Sequence, residues 1–302
     1  MKKFFINIIT FGFCLVILDV FVGFLSGGLG SSANGGLTRE NYYIAKESLD
    51  DIIILGSSRA KHHYDPFIIE DSLGMSCYNM GLDGNGIILA YGRYKMLLER
   101  YTPKLIIYEV SKSFDIYKYD ENTRYLTNLR QYYDVEGVKN IVDQIIDEKE
   151  KIKMQSVMYR NNSKLLPAVI DNVINRNLPK GYVPLYRVMN EPVKDFVSKE
   201  NVLEIDSAKL NLFESFICDV KSKDIGLILM VSPTYRGKDC ENEYCEVIKL
   251  CNKYNVKFVC NNDMVGIVDD YRLFQDRAHM NNTGANKYTC EIIPFLREEL
   301  NN

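Results

Sequence analysis

The chain has 302 residues, 46% of them apolar and 25% charged, enough to bury the core of one large domain or two small ones. A formal net charge of -3 gives no basic surface for a polyanion, which argues against nucleic acid as a partner. Tyr is abundant at 21 and Trp is absent, a balance that suits plain packing as well as a sugar-facing surface.

At the N-terminus, "MKKFFINIITFGFCLVILDVFVGFLSGG" places Lys2 and Lys3 ahead of an apolar run from Phe4 to about Leu25. Such a run is long enough to cross a bilayer as a helix. The lysines hold its start in the cytoplasm and send the rest of the chain across. The sequence therefore predicts a single-pass membrane anchor over residues 1–27 with an extracytoplasmic domain beyond it. Small residues in "SGGLGSSANGG" keep a cleaved signal peptide open as the alternative. Asp19 lies inside the run and is costly against lipid, so it belongs near the outer interface or against a partner helix. Residues 28–50 read as a linker with a short lead-in helix in "LTRENYYIAKESLD".

From residue 51 to 302, short apolar runs recur at Asp51–Leu55, Ser76–Leu82, Lys104–Val110, Ile225–Ser232 and Val256–Cys260. None alternates as a half-exposed strand would, so they read as strands of a parallel sheet covered on both faces. Helical spacing appears between them in "GIILAYGRYKMLLERY" and "ENEYCEVIKLCNKYN", and again in the closing "TGANKYTCEIIPFLREEL". The alternation predicts an α/β fold: a three-layer α/β/α domain with a parallel, flavodoxin-like sheet. It breaks over 114–223, a span too long for a loop. This span reads as a mostly helical insertion after the third strand, either a lid or wall for substrate or a packing subdomain. Eight cysteines are present without a C-x2-C zinc spacing. Several read as small core residues, Cys240 and Cys245 are close enough in sequence to pair, and few disulfides are expected.

Open parallel sheets bind ligands outside the carboxyl ends of their strands, and three chemistry-bearing stretches collect there. "GSSR" closes the first strand: Gly56 permits a sharp turn, and Ser58 opens the next helix, where free N–H groups favour negative charge. "NMGLDGNG" follows the second strand, and Gly84 or Gly86 lets a backbone N–H approach the same oxyanion. "QDRAHMNNTGANKY" precedes the last helix, with Asp276 three residues before His279, so that the carboxylate can fix the imidazole as a general base. His62, one turn beyond Ser58, is a rival base without a carboxylate spaced to orient it. A metal site from His62, His63 and the Asp276–His279 loop is disfavoured, because adjacent histidines do not present one helix face. No metal and no cofactor is expected.

Taken together, these blocks resemble the SGNH, or GDSL-like, hydrolase superfamily from Asp51 to the C-terminus, the insertion apart. The resemblance matches Ser58 to the nucleophile, Gly84 to the second-block glycine, and Asp276 and His279 to the closing D-x-x-H. It implies a catalytic set of Ser58, His279 and Asp276, with an oxyanion held by the N–H groups of Ser58 and Gly84. Two departures stand out: Ser57 replaces the family's aspartate, and Ser113 falls where an asparagine usually donates to the oxyanion, so that its hydroxyl takes that oxyanion role less rigidly. Arg59 beside the nucleophile suits an anionic substrate group or, alternatively, a local salt bridge. The G-S-S form with an N-terminal anchor is similar to a divergent, membrane-anchored branch of bacterial cell-surface polysaccharide O-acetyltransferase-like and esterase-like proteins. That implies a serine esterase or O-acyltransferase in the bacterial cell membrane, acting on acyl, most simply acetyl, groups of an envelope glycan. A membrane-bound acyl-transfer partner is compatible with this. The competing expectation is a catalytically weak SGNH-like module that binds glycan or a partner in an assembly complex.

Overall fold

In the computed structural model, residues 1–174, 179–190, 204–238 and 240–301 are described. Helix α1 (Lys2–Ser32) continues through the Gly/Ser-rich stretch that the sequence assigns to a linker, and α2 (Gly36–Lys46) follows after three residues. Next come β1 (Ile52–Gly56), α3 (Ser58–His63), α4 (Pro66–Leu73), β2 (Cys77–Asn79), α5 (Ile87–Leu98) and β3 (Leu105–Glu109). A π-turn and short 3-10 turns lead to α6 (Glu136–Asp143), α7 (Glu148–Lys153), α8 (Val157–Asn161) and α9 (Leu165–Val173). The chain closes with α10 (Ser207–Ser222), β4 (Gly226–Val231), α11 (Cys245–Tyr254), β5 (Lys257–Cys260) and α12 (Asn282–Leu300). Part of the expected insertion, residues 175–178 and 191–203, lies outside the described residues.

The chain divides into two compact units, Met1–Ser48 with Leu126–Leu178, and Leu49–Tyr125 with Pro179–Asn302. In the second unit all five strands are parallel, in the order β2-β1-β3-β4-β5. This is the flavodoxin-like doubly wound order, whose switch point lies between β1 and β3. Every residue of β1 and β3 is buried, which is why their sequences run apolar without alternation. Alternate strand residues serve opposite layers. Ile52, Ile54, Ile107, Ile228 and Met230 pack with Tyr64, Tyr288 and Ile292 of the α3–α4–α12 layer. On the other face, the Tyr108 ring meets Phe213 and Phe216 of α10 at centroid distances of 5.0 and 5.6 Å.

Two expectations are corrected. The span 114–223 is not one insertion: α6–α9 fold with the N-terminal helices, whereas α10 is the crossover helix between β3 and β4. Leu212, Phe213, Phe216, Ile217 and Val220 give α10 a buried apolar face, and this ties it to the sheet. Cysteine pairing also differs, because Cys240 bonds Cys260 rather than Cys245. The parallel pairing of β4 and β5 sets Cys260, at the strand end, beside the loop leaving β4, while Cys245 starts α11.

In the first unit, α1 is long enough at about 1.5 Å per residue to exceed a bilayer core. It is the one helix among the described residues that meets the length and composition for crossing a membrane. Asp19 is turned to α8, accepting hydrogen bonds from Ser156 Oγ (2.6 Å), Val157 N (2.9 Å) and Met158 N (2.8 Å). The acid of the apolar run thus satisfies the free N–H groups that open a helix.

Candidate active site

The position of Ser58 follows from a turn that only glycine fits. Gly56 has φ +135°, and a side-chain carbon there would lie 2.5 Å from the Glu109 carbonyl oxygen of β3. The strand therefore runs tightly beside its neighbour and reverses at once into α3, presenting Ser58 at the first helical position. There its N–H is one of those an α-helix leaves without an internal acceptor.

Ser58 and His279 are 221 residues apart in sequence, yet His279 Nε2 lies 2.8 Å from Ser58 Oγ. The other ring nitrogen, Nδ1, is 3.0 and 3.1 Å from the two Asp276 oxygens. A carboxylate only accepts, so Nδ1 carries the proton and Nε2 accepts from the Ser58 hydroxyl. Asp276 Oδ1 also takes the N–H groups of Ala278 and His279 at 2.9 Å each. Partial burial pushes the Asp276 carboxyl up, but these donors and the imidazole outweigh it and hold its pKa below the ordinary value. The residues form a closed loop, with Gln275 N donating to the His279 carbonyl and Phe274 bridged to Met280.

A buried network behind the rim joins the two halves. Met280 N donates to His63 Nε2 (2.9 Å), so the His63 proton sits on Nδ1 and reaches Ser232 Oγ (2.7 Å), which donates to Glu109 Oε1 (2.9 Å). Burial and the nearby Arg59 charge hold the His63 pKa well below its ordinary value, in keeping with a neutral ring. Glu109 is fully buried and meets Arg59 Nε at 3.0 Å, and Tyr64 donates to it as well. Burial pushes the Glu109 carboxyl up, and the guanidinium and hydroxyl donors oppose that push.

Arg59 is among the residues that line the cleft, but its charged end is turned away from Ser58. Its guanidinium points inward, to Glu109, to the Val110 carbonyl (2.6 Å) and to the Ser232 carbonyl (3.3 Å). A buried carboxylate at the end of β3 outcompetes anything at the rim for that charge. Ser113 is likewise displaced. The π-turn Lys112–Ile116 brings Ser111 and Phe114, not Ser113, to the cleft lining, while the Ser113 carbonyl accepts from Lys209 Nζ at 3.2 Å. Gly84 does line the cleft, and its φ of +66° is a left-handed conformation that glycine adopts freely.

His62 has a partner that sequence reasoning missed. Its Nε2 lies 3.2 Å from Asp83, and its Nδ1 donates to the Val183 carbonyl at 2.6 Å. Asp83 comes from the turn after β2, 21 positions along the chain, so spacing gave no signal. Partial burial raises the Asp83 carboxyl, and the His62 contact more than reverses this, leaving its pKa low. His62 is thereby committed to the cleft wall rather than to Ser58. The segment 179–190 supplies part of that wall through Leu185, whose carbonyl accepts from Asn282 N at 2.6 Å. The cleft has a volume of about 610 Å³.

The π-turn is fixed from inside by Asp115, which takes the N–H of Ser111 (2.6 Å) and of Ile87 (2.7 Å) and the Tyr108 hydroxyl (2.8 Å). Burial pushes its pKa from 3.8 up to about 6 against these donors. The folded state then holds this proton more tightly than the unfolded chain, so the contribution of Asp115 to stability falls as pH rises between those values. Relative to Asp115→Asn, the wild type is expected to lose stability from pH 4 to pH 6. Chemical denaturation of both proteins at each pH checks this, and an unchanged gap between them overturns it.

Among the described residues no group of three or more His, Cys, Asp or Glu side chains is placed to hold a metal ion. No protein-family model matches the chain, and no curated protein matches it. Solved structures overlap it loosely. One, provisionally described as a platelet activating factor from Streptococcus pneumonia, is 11% identical, covers 94% of this chain and 99% of its own, and has a TM-score of 0.44. Another, provisionally described as a lipolytic protein of the G-D-S-L family from Desulfitobacterium hafniense DCB-2, is 9% identical at a TM-score of 0.39, covering 81% of this chain and 98% of its own. A catalytic variant of an acetylxylan esterase from Geobacillus stearothermophilus is 13% identical at 0.40, covering 84% and 96%. Overlaps this loose carry no weight for chemistry. The likeness to SGNH hydrolases stands on the chain's own residues: Gly56-Ser57-Ser58, Gly84 and Asp276-x-x-His279, set at the strand ends of a 2-1-3-4-5 parallel sheet.

Proposed function

We propose that this protein is a serine esterase or O-acyltransferase, held to the membrane by α1 and working outside the cytoplasm on O-acyl groups of an envelope glycan. The observation that carries the reading is the Ser58 Oγ to His279 Nε2 distance of 2.8 Å, with Asp276 on the far side of the ring. Ser58 Oγ attacks the ester carbonyl as its proton passes to His279 Nε2, and the imidazolium is held by Asp276. The oxyanion rests on the N–H groups of Ser58 and Gly84. His279 returns the proton to the leaving sugar oxygen, leaving acyl-Ser58. Water or a second sugar hydroxyl then gives up its proton to His279, takes the acyl group and frees the serine. The glycan and its acetyl group are the substrate class implied by the family resemblance, and an open cleft suits a polymer. Retention of α1, rather than its cleavage as a signal, is supported by the Asp19 cap on α8, which removal would undo.

The test is covalent labelling. A fluorophosphonate probe is expected to label the wild type at Ser58 and to leave Ser58→Ala unlabelled. Undiminished labelling of that variant rules the serine out.

A further inference from the structure

Helix α9 has two faces of opposite character. One is turned into its own unit: Asp171, 7% exposed, accepts from Thr38 N at 3.1 Å, and Asn172 donates to the Leu29 carbonyl at 2.8 Å and accepts from Ser32 Oγ at 2.7 Å. The other carries Leu166, Val169, Ile170 and Val173, a stripe at helical spacing that is open along its length and continued by Ile174 at the helix end, with Leu166 69% and Val173 79% exposed. No charged residue interrupts that stripe, because the one acid of α9 lies on the inner face. In water such a row of large apolar side chains on a single face is costly and marks an interaction surface.

Its neighbours say what covers it. Within the same unit, α9 packs against α1, and α1 bears Phe21, Phe24 and Leu25 exposed on the turns just before Leu29 and Ser32. Met158, exposed on α8, extends the surface beside the Asp19 cap. The apolar surface of the anchor is therefore continuous with that of α9. Asp19 and Asn172, polar side chains that meet α8 and α1 respectively, are hydrogen-bonded inside the unit.

We infer that α9 is a second membrane-contacting element: an interfacial helix that lays Leu166, Val169, Ile170, Val173 and Ile174 into the outer leaflet beside the anchor. The inference rests on the proposed anchoring by α1. Helices of this kind bury one apolar face at the headgroup–acyl boundary and keep their polar face out of it. In this protein the polar face is occupied by α1 and α2, not by water.

Because the chain has no Trp, a single introduced indole reports depth without background. The full-length protein, as Leu166→Trp and separately as Val173→Trp, is reconstituted into phosphatidylcholine–phosphatidylglycerol vesicles with or without acyl-chain-brominated lipid. Both probes are expected to emit blue-shifted and to lose most of their emission to the brominated lipid. Phe11→Trp, within the anchor, is measured in parallel. Quenching of Phe11→Trp but of neither α9 probe overturns the interfacial helix and leaves the anchor standing. If none of the three is quenched, both readings fall. A blue-shifted α9 probe that resists brominated lipid while Phe11→Trp is quenched means the face is covered by protein, a second copy included, and also overturns the inference.

Discussion

Ser58→Ala is expected to lower kcat for p-nitrophenyl acetate on the order of 10⁶-fold, to the residue of rate that binding and the oxyanion donors still provide. The size follows from the geometry. His279 has one free nitrogen, and that nitrogen meets the Ser58 hydroxyl; removing the hydroxyl leaves the base nothing to activate. Asp276→Asn is expected to cost less, about 10⁴-fold, because it spares the nucleophile but favours the wrong imidazole tautomer. Steady-state turnover and the pre-steady-state burst of p-nitrophenol check both. A Ser58→Ala protein within tenfold of wild type, or an Asp276→Asn loss exceeding that of Ser58→Ala, contradicts these roles.

The second large effect is on folding. Arg59→Ala is expected to destabilise the α/β unit by about 3–5 kcal/mol, since it strands the Glu109 carboxylate in the interior and strips a donor from two buried carbonyls. Urea denaturation measures this, with Arg59→Ala/Glu109→Gln as the companion. If the stranded charge dominates the loss, the double variant regains part of it. A double variant less stable than Arg59→Ala shows that the carbonyl contacts dominate instead.

Much of the fold was legible because the sheet is covered on both faces. Ile52–Leu55 and Leu105–Tyr108 are read as buried strands from composition alone, and the structure has them so. The second strand is shorter than its apolar run: β2 ends at Asn79, whose side chain donates to the Ala60 and Tyr64 carbonyls, while Met80 N and Leu82 N still donate to the Ile54 and Gly56 carbonyls of β1. The α10 crossover was hidden inside a charged span. Its burial depends on Tyr108 and α5, partners about a hundred residues away, which no local window reports. Ser58 and the Asp276–His279 pair are legible as two separate blocks, and their meeting rests on the doubly wound order. The directions taken by Arg59 and Ser113 are not legible, because local sequence says where a residue sits, not which way it turns. Glu109 and Asp115, buried carboxylates that look like ordinary strand-end acids in sequence, decided both cases.

The hydrogen-bonded path from Arg59 and Glu109 through Ser232 and His63 to Met280 supports the gap between Ser58 Oγ and His279 Nε2 from beneath. That gap therefore persists whether or not anything occupies the groove above. The side chains of Leu185, Phe114 and Gln275, which line the cleft, stand outside that path, so exchanging them leaves the Ser58–His279 contact in place.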